Sequence, residues 1–324
     1  MKRLLRLALV ASSAACALAA HAQAPSPHAI DIPAWFTDSF LEFAQDVKEA
    51  ARDGKRLMVY FGQDGCPYCK QLMQTNFTQR AIVEKTRKHF VAVALNIWGD
   101  REVQWTDGRR MSEKELTRTL KIQYTPTLLF LDEKGAIAAR LNGYYPPHRF
   151  TAALDYAAGV AGKGMRFGEF MQTAAKESAS PTLHDEPFLR KPPVDLQGTR
   201  PAALLFETPY CTGCDELHRE GFKRPEVREL LERFDVYRLT LDDRRDAAGP
   251  WSGALRVAYT PTLVFFDGGK EVFRIEAYLR PFHLASALDY VASGAYRAEP
   301  SFQRYIQVRA ERLRERGGSV DLWQ

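Results

Sequence analysis

Apolar runs of strand length recur along this chain in the same order twice. In the first half "LMVYF" (57–61) is followed by "FVAVALNI" (90–97) and "YTPTLLFLD" (124–132); in the second, "FDVYRLTL" (234–241) precedes "YTPTLVFFD" (259–267). After each Thr-Pro-Thr run comes a turn ("EKG" or "GGK"), a shorter strand pattern ("AIAARL" or "EVFRIE") and an amphipathic helix ("PPHRFTAALDYAAG" or "RPFHLASALDYVASG"). Self-similarity over such a length marks an internal repeat. Each copy reads strand, helix, strand, helix, strand, strand, helix, which predicts a βαβ unit followed by an antiparallel pair and a packed helix. The expected class is therefore α/β, with two tandem domains, each a mixed central sheet flanked by helices.

The copies differ in length and in what precedes them. Cys66 and Cys211 are 145 positions apart but Pro126 and Pro261 only 135, so the first copy carries about ten extra residues, assigned to "WGDREVQWTDGRRM". Trp98 and Trp105 flank that insertion and are expected to pack it onto its domain. Ahead of the first copy, "TDSFLEFAQDVKEAARDGK" predicts a helix with Thr37 or Ser39 as cap, Phe40, Phe43, Ala44 and Val47 on one face, and Gly54 beyond its end. The second copy has "FGEFMQTAAKES" in a comparable place. It is followed by "SPTLHDEPFLRKPPVDLQGTRP", whose prolines predict an extended strap and no helix. The expected division is 1–24 leader, 31–162 first domain, 163–200 helix and Pro-rich strap, 201–296 second domain, and 297–324 a basic C-terminal helix and tail.

Composition narrows the setting. "MKRLLR", the short apolar run "LALVASSAACALAA" and the small residues "AHAQA" form a secretory signal peptide pattern, too short for a membrane anchor. A periplasmic location is expected. Its removal takes away Cys16 and three cations, lowering the formal charge from +5 to about +2. A near-neutral chain offers no electrostatic case for nucleic acid.

Four cysteines remain, in two tight pairs: "GCPYCK" with Cys66 and Cys69, and "YCTGCD" with Cys211 and Cys214. A mature chain of this length has core enough to fold without staples, and a bridge across so short a loop constrains the unfolded chain little. Sparing, paired use points to chemistry. An apolar strand, Cys-x-x-Cys and a helix place the first cysteine at a helix N-terminus, where unpaired N–H groups favour thiolate. The second cysteine, one turn on, can close a disulfide once the first has formed a mixed disulfide with a partner. Pro126 and Pro261, each opening a buried strand, are candidates for cis peptide bonds, which would leave Thr125 and Thr260 free to pair with an extended substrate.

Both halves resemble thioredoxin-fold domains. The first resembles the periplasmic SoxW-type thioredoxins of sulfur-oxidation systems through "VYFGQDGCPYCKQL", "YTPTLLFLD" and "GYYPPHRFTAALDY"; the second shows the general pattern of the fold. The resemblance implies that Cys66 attacks, Cys69 resolves and Pro126 is cis, with parallel roles for Cys211, Cys214 and Pro261. It also implies protein thiols and disulfides as partners and a membrane thiol carrier as electron donor. Two departures stand out. Thioredoxins proper carry Trp-Cys-Gly-Pro-Cys, and they place a buried acid six residues before the first cysteine, where this chain has Tyr60 and Leu205. Glu207 or Asp64 is left to act from another angle. Lys70 follows the first pair while Asp215 and Glu216 follow the second, so Cys66 is expected to be the more acidic nucleophile.

Other readings stay in view. Zinc ribbons space their pairs far closer than these, and no Met or His cluster adjoins either motif in sequence, so no metal is expected. Neither domain carries a nucleotide fingerprint, and no cofactor is expected. Isomerase or oxidase activity, or a binding or metal-handling module without catalysis, would share this fold. The second domain is read either as a relay partner or as a docking unit. His218, four residues after Cys214, is read either as one turn away and modulating that thiol or, in preference, as a surface histidine, and His148 and His283 as recurring features of the closing helices.

Overall fold

A computed structural model describes residues 29–174, 179–241, 248–318 and 320. The leader at 1–24 lies outside the described residues.

In the first domain, helix α1 (Phe43–Arg52) leads into β1 (Arg56–Gly62), helix α2 (Pro67–Gln71), a π-helical turn (Leu72–Asn76), α3 (Arg80–His89) and β2 (Phe90–Asn96). The insertion forms a small hairpin, β3 (Glu102–Gln104) and β4 (Arg110–Ser112), followed by α4 (Glu113–Thr119). Then come β5 (Thr127–Leu131), β6 (Ile137–Asn142) and α5 (Pro147–Ala157). The sheet runs β2-β1-β5-β6, parallel between β1 and β2 and antiparallel elsewhere. Its central strands are buried on both faces. Met58, Tyr60, Leu128 and Phe130 join one core, Leu57, Val59, Phe61, Leu129 and Leu131 the other. That two-sided burial is why these strands read as unbroken apolar runs with no alternation.

The second domain repeats the plan after α6 (Phe167–Ala174) and a two-residue strand, β7 (Leu189–Arg190). It comprises β8 (Ala202–Glu207), α7 (Thr212–Glu216), a π-helical turn (Leu217–Gly221), α8 (Pro225–Leu231), β9 (Asp235–Thr240), α9 (Ala248–Ala254), β10 (Thr262–Asp267), β11 (Lys270–Glu276) and α10 (Pro281–Ala292). A 3₁₀ turn (Ala295–Arg297) leads to α11 (Phe302–Glu315). The strand order is β11-β10-β8-β9-β7.

One sequence expectation changes, at the first helix. The first helix starts at Phe43 with Glu42 at its N-cap, and no side chain caps it. Leu41, at φ 61°, turns the chain just before it, leaving Phe40 97% exposed. Ser39 instead bonds the Leu41 amide and the Asp46 carboxylate. The strap holds no helix over 179–200, and its β7 pairs in parallel with β9 and so forms an edge of the second sheet. The insertion packs inward: Trp105 is buried, 5.1 Å from the Phe43 ring, and Trp98 lies against the same core.

The domains interlock through the tyrosines that precede the Thr-Pro-Thr runs. Tyr124 leaves its own domain for the second core, with its hydroxyl on the Arg274 carbonyl and its ring 5.7 Å from Phe273. Tyr259 enters the first core, 4.5 Å from Tyr145 and under the Arg149 guanidinium. Asn142 donates to Glu276 across the same boundary at 2.6 Å.

Candidate active site

Each cysteine pair sits where a strand hands over to a helix. Cys66 has extended backbone (φ −88°, ψ 110°) and is the N-cap of α2, with Pro67 in the first turn, where a missing N–H costs nothing. Cys211 caps α7 in the same way. In both, the Sγ accepts the amide of the second cysteine, Cys69 N at 3.0 Å and Cys214 N at 3.1 Å. An amide aimed at the sulfur favours its anionic form once the bond is reduced. Both pairs are disulfides here, with Cα atoms 5.2 Å apart in each.

Thr125–Pro126 and Thr260–Pro261 are both cis. The second threonine of each run ties the loop back, Thr127 Oγ1 donating to Tyr124 O at 2.8 Å and Thr262 Oγ1 to Tyr259 O at 2.7 Å. Each proline carbonyl is taken by the amide that ends the next strand, Gly143 or Ala277. The result brings Cys66 Sγ to 3.3 Å from the Thr125 carbonyl oxygen. The structure thus joins Cys66, Cys69, Thr125 and Pro126 in one place. In the second domain Pro261 lies against Gly213 of the Cys-Thr-Gly-Cys motif, where an added Cβ would come within 3.0 Å of the proline ring.

The surroundings of the two pairs diverge. Tyr60, in place of a buried acid, packs in the core that holds Cys66 and Cys69, and its hydroxyl makes no hydrogen bond among the described residues. Burial, reinforced by Asp64, raises its pKa, so it is no base for Cys69. A methyl group at Gly62 would collide with the same ring, which is why β1 ends on glycine. The second domain has an acid after all. Glu207, ending β8, is 1% exposed and its Oε1 lies 2.8 Å from His218 Nε2. His218 is 2% exposed, so the surface reading fails: it lies on the inner side of the π-helical turn, with its ring edge against Phe222. Glu186 of the strap approaches its Nδ1 at 3.5 Å, and Lys223 and Arg228 neutralise that carboxylate. His184 stacks on His218 and bonds Asp215 at 2.8 Å. Burial opposes ionisation of Asp215, yet the Ser180 amide and His184 hold its pKa below the ordinary carboxylate value. The i+4 spacing from Cys214 was the one sequence signal for this cluster; its partners arrive from a strand end and the strap.

His148 and His283 are not equivalent. His148 follows Pro147 and is exposed, whereas His283 stands one position further into its helix and is buried, its ring 5.3 Å from Tyr68. Burial, aided by the charge of Arg280, lowers the His283 pKa to about 4. Between pH 6.5 and 4 the unfolded chain therefore takes up a proton that the native protein refuses. This histidine's contribution to stability is intact above pH 6.5 and lost by pH 4, about 3 kcal/mol in all. Denaturant titrations from pH 7 to 4 should fall more steeply for the wild type than for His283→Leu. Parallel curves would show that the site hydrates and the histidine ionises in place.

Two mixed sheets, each bearing a helix-capping disulfide, with a cis-proline loop beside it, define a tandem scaffold suited to thiol–disulfide oxidoreductase chemistry. The thioredoxin-like domain family matches residues 43–158 and again 194–292, and the chain belongs to that family. Among solved structures it is similar to a thioredoxin-fold protein from Helicobacter pylori (27% identity, 39% of this chain, 77% of that one, TM-score 0.31). It is also similar to a thioredoxin from Thermus thermophilus (24% identity, 38% and 92%, TM-score 0.29). A putative disulphide-isomerase from Bacteroides thetaiotaomicron matches at 23% identity, over 38% and 92%, with TM-score 0.31. No curated protein matches the chain. Among the described residues no group of His, Cys, Asp and Glu has the arrangement of a metal site, and no helix is long and apolar enough to cross a membrane.

Proposed function

We propose that this is a periplasmic thiol–disulfide oxidoreductase that exchanges disulfides with protein substrates and works as a reductase. The observation that carries the reading is the repeated geometry: a cysteine whose Sγ receives the amide of its resolving partner, one helical turn along, beside a cis-proline loop. Cys66 or Cys211 attacks a substrate disulfide, and Cys69 or Cys214 resolves the mixed species. Thr125–Pro126 and Thr260–Pro261 orient the incoming chain. The leader pattern at 1–24 supports export. Export of a reductase requires electrons from outside the compartment, and a membrane thiol carrier of the kind that serves SoxW-type thioredoxins fits that need.

Lys70 beside the first pair and an ionised Asp215 beside the second give the pairs different potentials, with Cys66 the more acidic thiol. The test is insulin reduction with dithiothreitol, together with the redox potential of each pair in glutathione buffers. The Cys66→Ser/Cys69→Ser and Cys211→Ser/Cys214→Ser chains isolate the pairs. Replacing all four cysteines should return the rate to background. A wild-type rate no faster than the four-serine chain would sink the reading.

A further inference from the structure

The two sites do not face the same surroundings. At the second motif Tyr210 and Thr212 are exposed, Tyr210 at 52%, although Cys211 itself is as buried as Cys66. At the first, the dipeptide between the cysteines is gripped by the other domain. Tyr68 Oη accepts the Arg280 amide at 2.8 Å, and its ring lies between His283 and the Arg280 guanidinium. Gln303 of α11 reaches over to Gln63 at 2.6 Å and to the Gln123 carbonyl at 3.0 Å. Cys66, 3% exposed, and Thr125 therefore face an interdomain cavity of about 190 Å³, closed on its far side by Glu276, Tyr278 and Leu279.

That volume decides what can react there. A cavity of about 150 Å³ takes a benzene-sized molecule, and drug-sized ligands need about 300 Å³ or more. A folded protein substrate would need about 800 Å² of matching surface, and Arg280, His283 and Gln303 already occupy part of the face that would supply it. Charge narrows the choice further. The lining carries the carboxylates of Asp64 and Glu276 and no lysine or arginine; Glu276 is tied to Asn142 and Arg274.

We infer that Cys66 reacts faster with low-molecular-weight disulfides, neutral or amino-bearing, than with protein disulfides. The inference rests on the thiol-exchange reading of the same site. In the step, the Cys66 thiolate attacks one sulfur of R–S–S–R. The Cys66–S–R bond forms and one thiolate leaves to take a proton. Cys69 then attacks Cys66 Sγ, closing the Cys66–Cys69 disulfide and expelling the second thiolate. Two electrons pass from the protein dithiol to the small disulfide, and a dithiol reductant restores the pair.

The test uses the full chain carrying Cys211→Ser/Cys214→Ser, reduced with dithiothreitol, desalted, and mixed in single turnover with four oxidants. These are hydroxyethyl disulfide (neutral), cystamine (cationic), glutathione disulfide (anionic) and insulin. Oxidation of Cys66–Cys69 is read by mass after alkylation. Hydroxyethyl disulfide and cystamine are expected to react at least about tenfold faster than insulin, with glutathione disulfide also behind cystamine by about tenfold. Gln307→Trp, at the exposed rim of the cavity, should slow the two fast reagents several-fold, while Gln307→Ala leaves them as fast or faster. In the Cys66→Ser/Cys69→Ser chain the Trp substitution should change nothing. Insulin reacting as fast as the small disulfides, or rates indifferent to Gln307→Trp, would overturn the inference while leaving thiol exchange standing. If neither pair reacts with any oxidant, it is the thiol-exchange reading that fails.

Discussion

Replacing His218 by alanine is expected to cost the second domain about 3–5 kcal/mol, the penalty for removing one partner of a buried pair. Glu207 is 1% exposed; its Oε1 has His218 as partner, and its Oε2 makes no hydrogen bond among the described residues. Without the imidazole that carboxylate would sit in the core with no donor. Glu186 would suffer less, because Lys223 and Arg228 still reach it. A loss of this size approaches the whole margin of a small domain. Denaturant unfolding followed by domain-resolved hydrogen exchange should show it concentrated in residues 202–292. The double variant His218→Ala/Glu207→Leu should recover much of the loss, since it removes the stranded carboxyl along with its partner. A cost below about 1 kcal/mol for His218→Ala would mean that water reaches Glu207 and the pair contributes little.

The second large effect concerns the exchanged tyrosines. Tyr259→Ala is expected to cost about 3–5 kcal/mol, as for other aromatic truncations in cores, and to loosen the domain to which Tyr259 does not belong. Its ring packs on Tyr145 and Arg149, at the start of α5, so amide protection around residues 145–154 should fall. Tyr124→Ala should act in reverse, unsettling Phe273 and Phe302 and freeing the Arg274 carbonyl. Because both tyrosines directly precede the Thr-Pro segments, either change should also disturb the cysteine site of its own domain. Protection lost only in the domain that carries the mutation would show that the two cores are not coupled through these rings.

These effects separate what could be read along the chain from what could not. The strand runs at 57–61 and 124–132 were legible because both faces of β1 and β5 are buried, which leaves no polar positions to break the pattern. The cysteine pairs were legible because their partners lie three positions apart on one turn. Phe40 was misassigned because periodicity does not register the left-handed turn at Leu41 that ends the approach to α1. Nothing in the prolines of the strap foretold that Leu189 and Arg190 would pair with β9. The histidine at 218 was given to the surface because a histidine on a helix is polar by default; only Glu207 and Glu186, 11 and 32 residues away, make its burial tolerable.

By itself the sequence determined the duplication, the α/β order of each copy, and the two pairs of cysteines with their proline loops, since all of these follow from local spacing and from burial patterns within a few residues. The tertiary structure alone decided which of the two cysteine motifs the other domain grips. The grip of Arg280 and His283 on Tyr68, the crossing of Tyr124 and Tyr259, and the cavity over Cys66 join residues more than a hundred positions apart. Contacts of that kind depend on how two finished surfaces fit, and no periodicity along one chain encodes the fit.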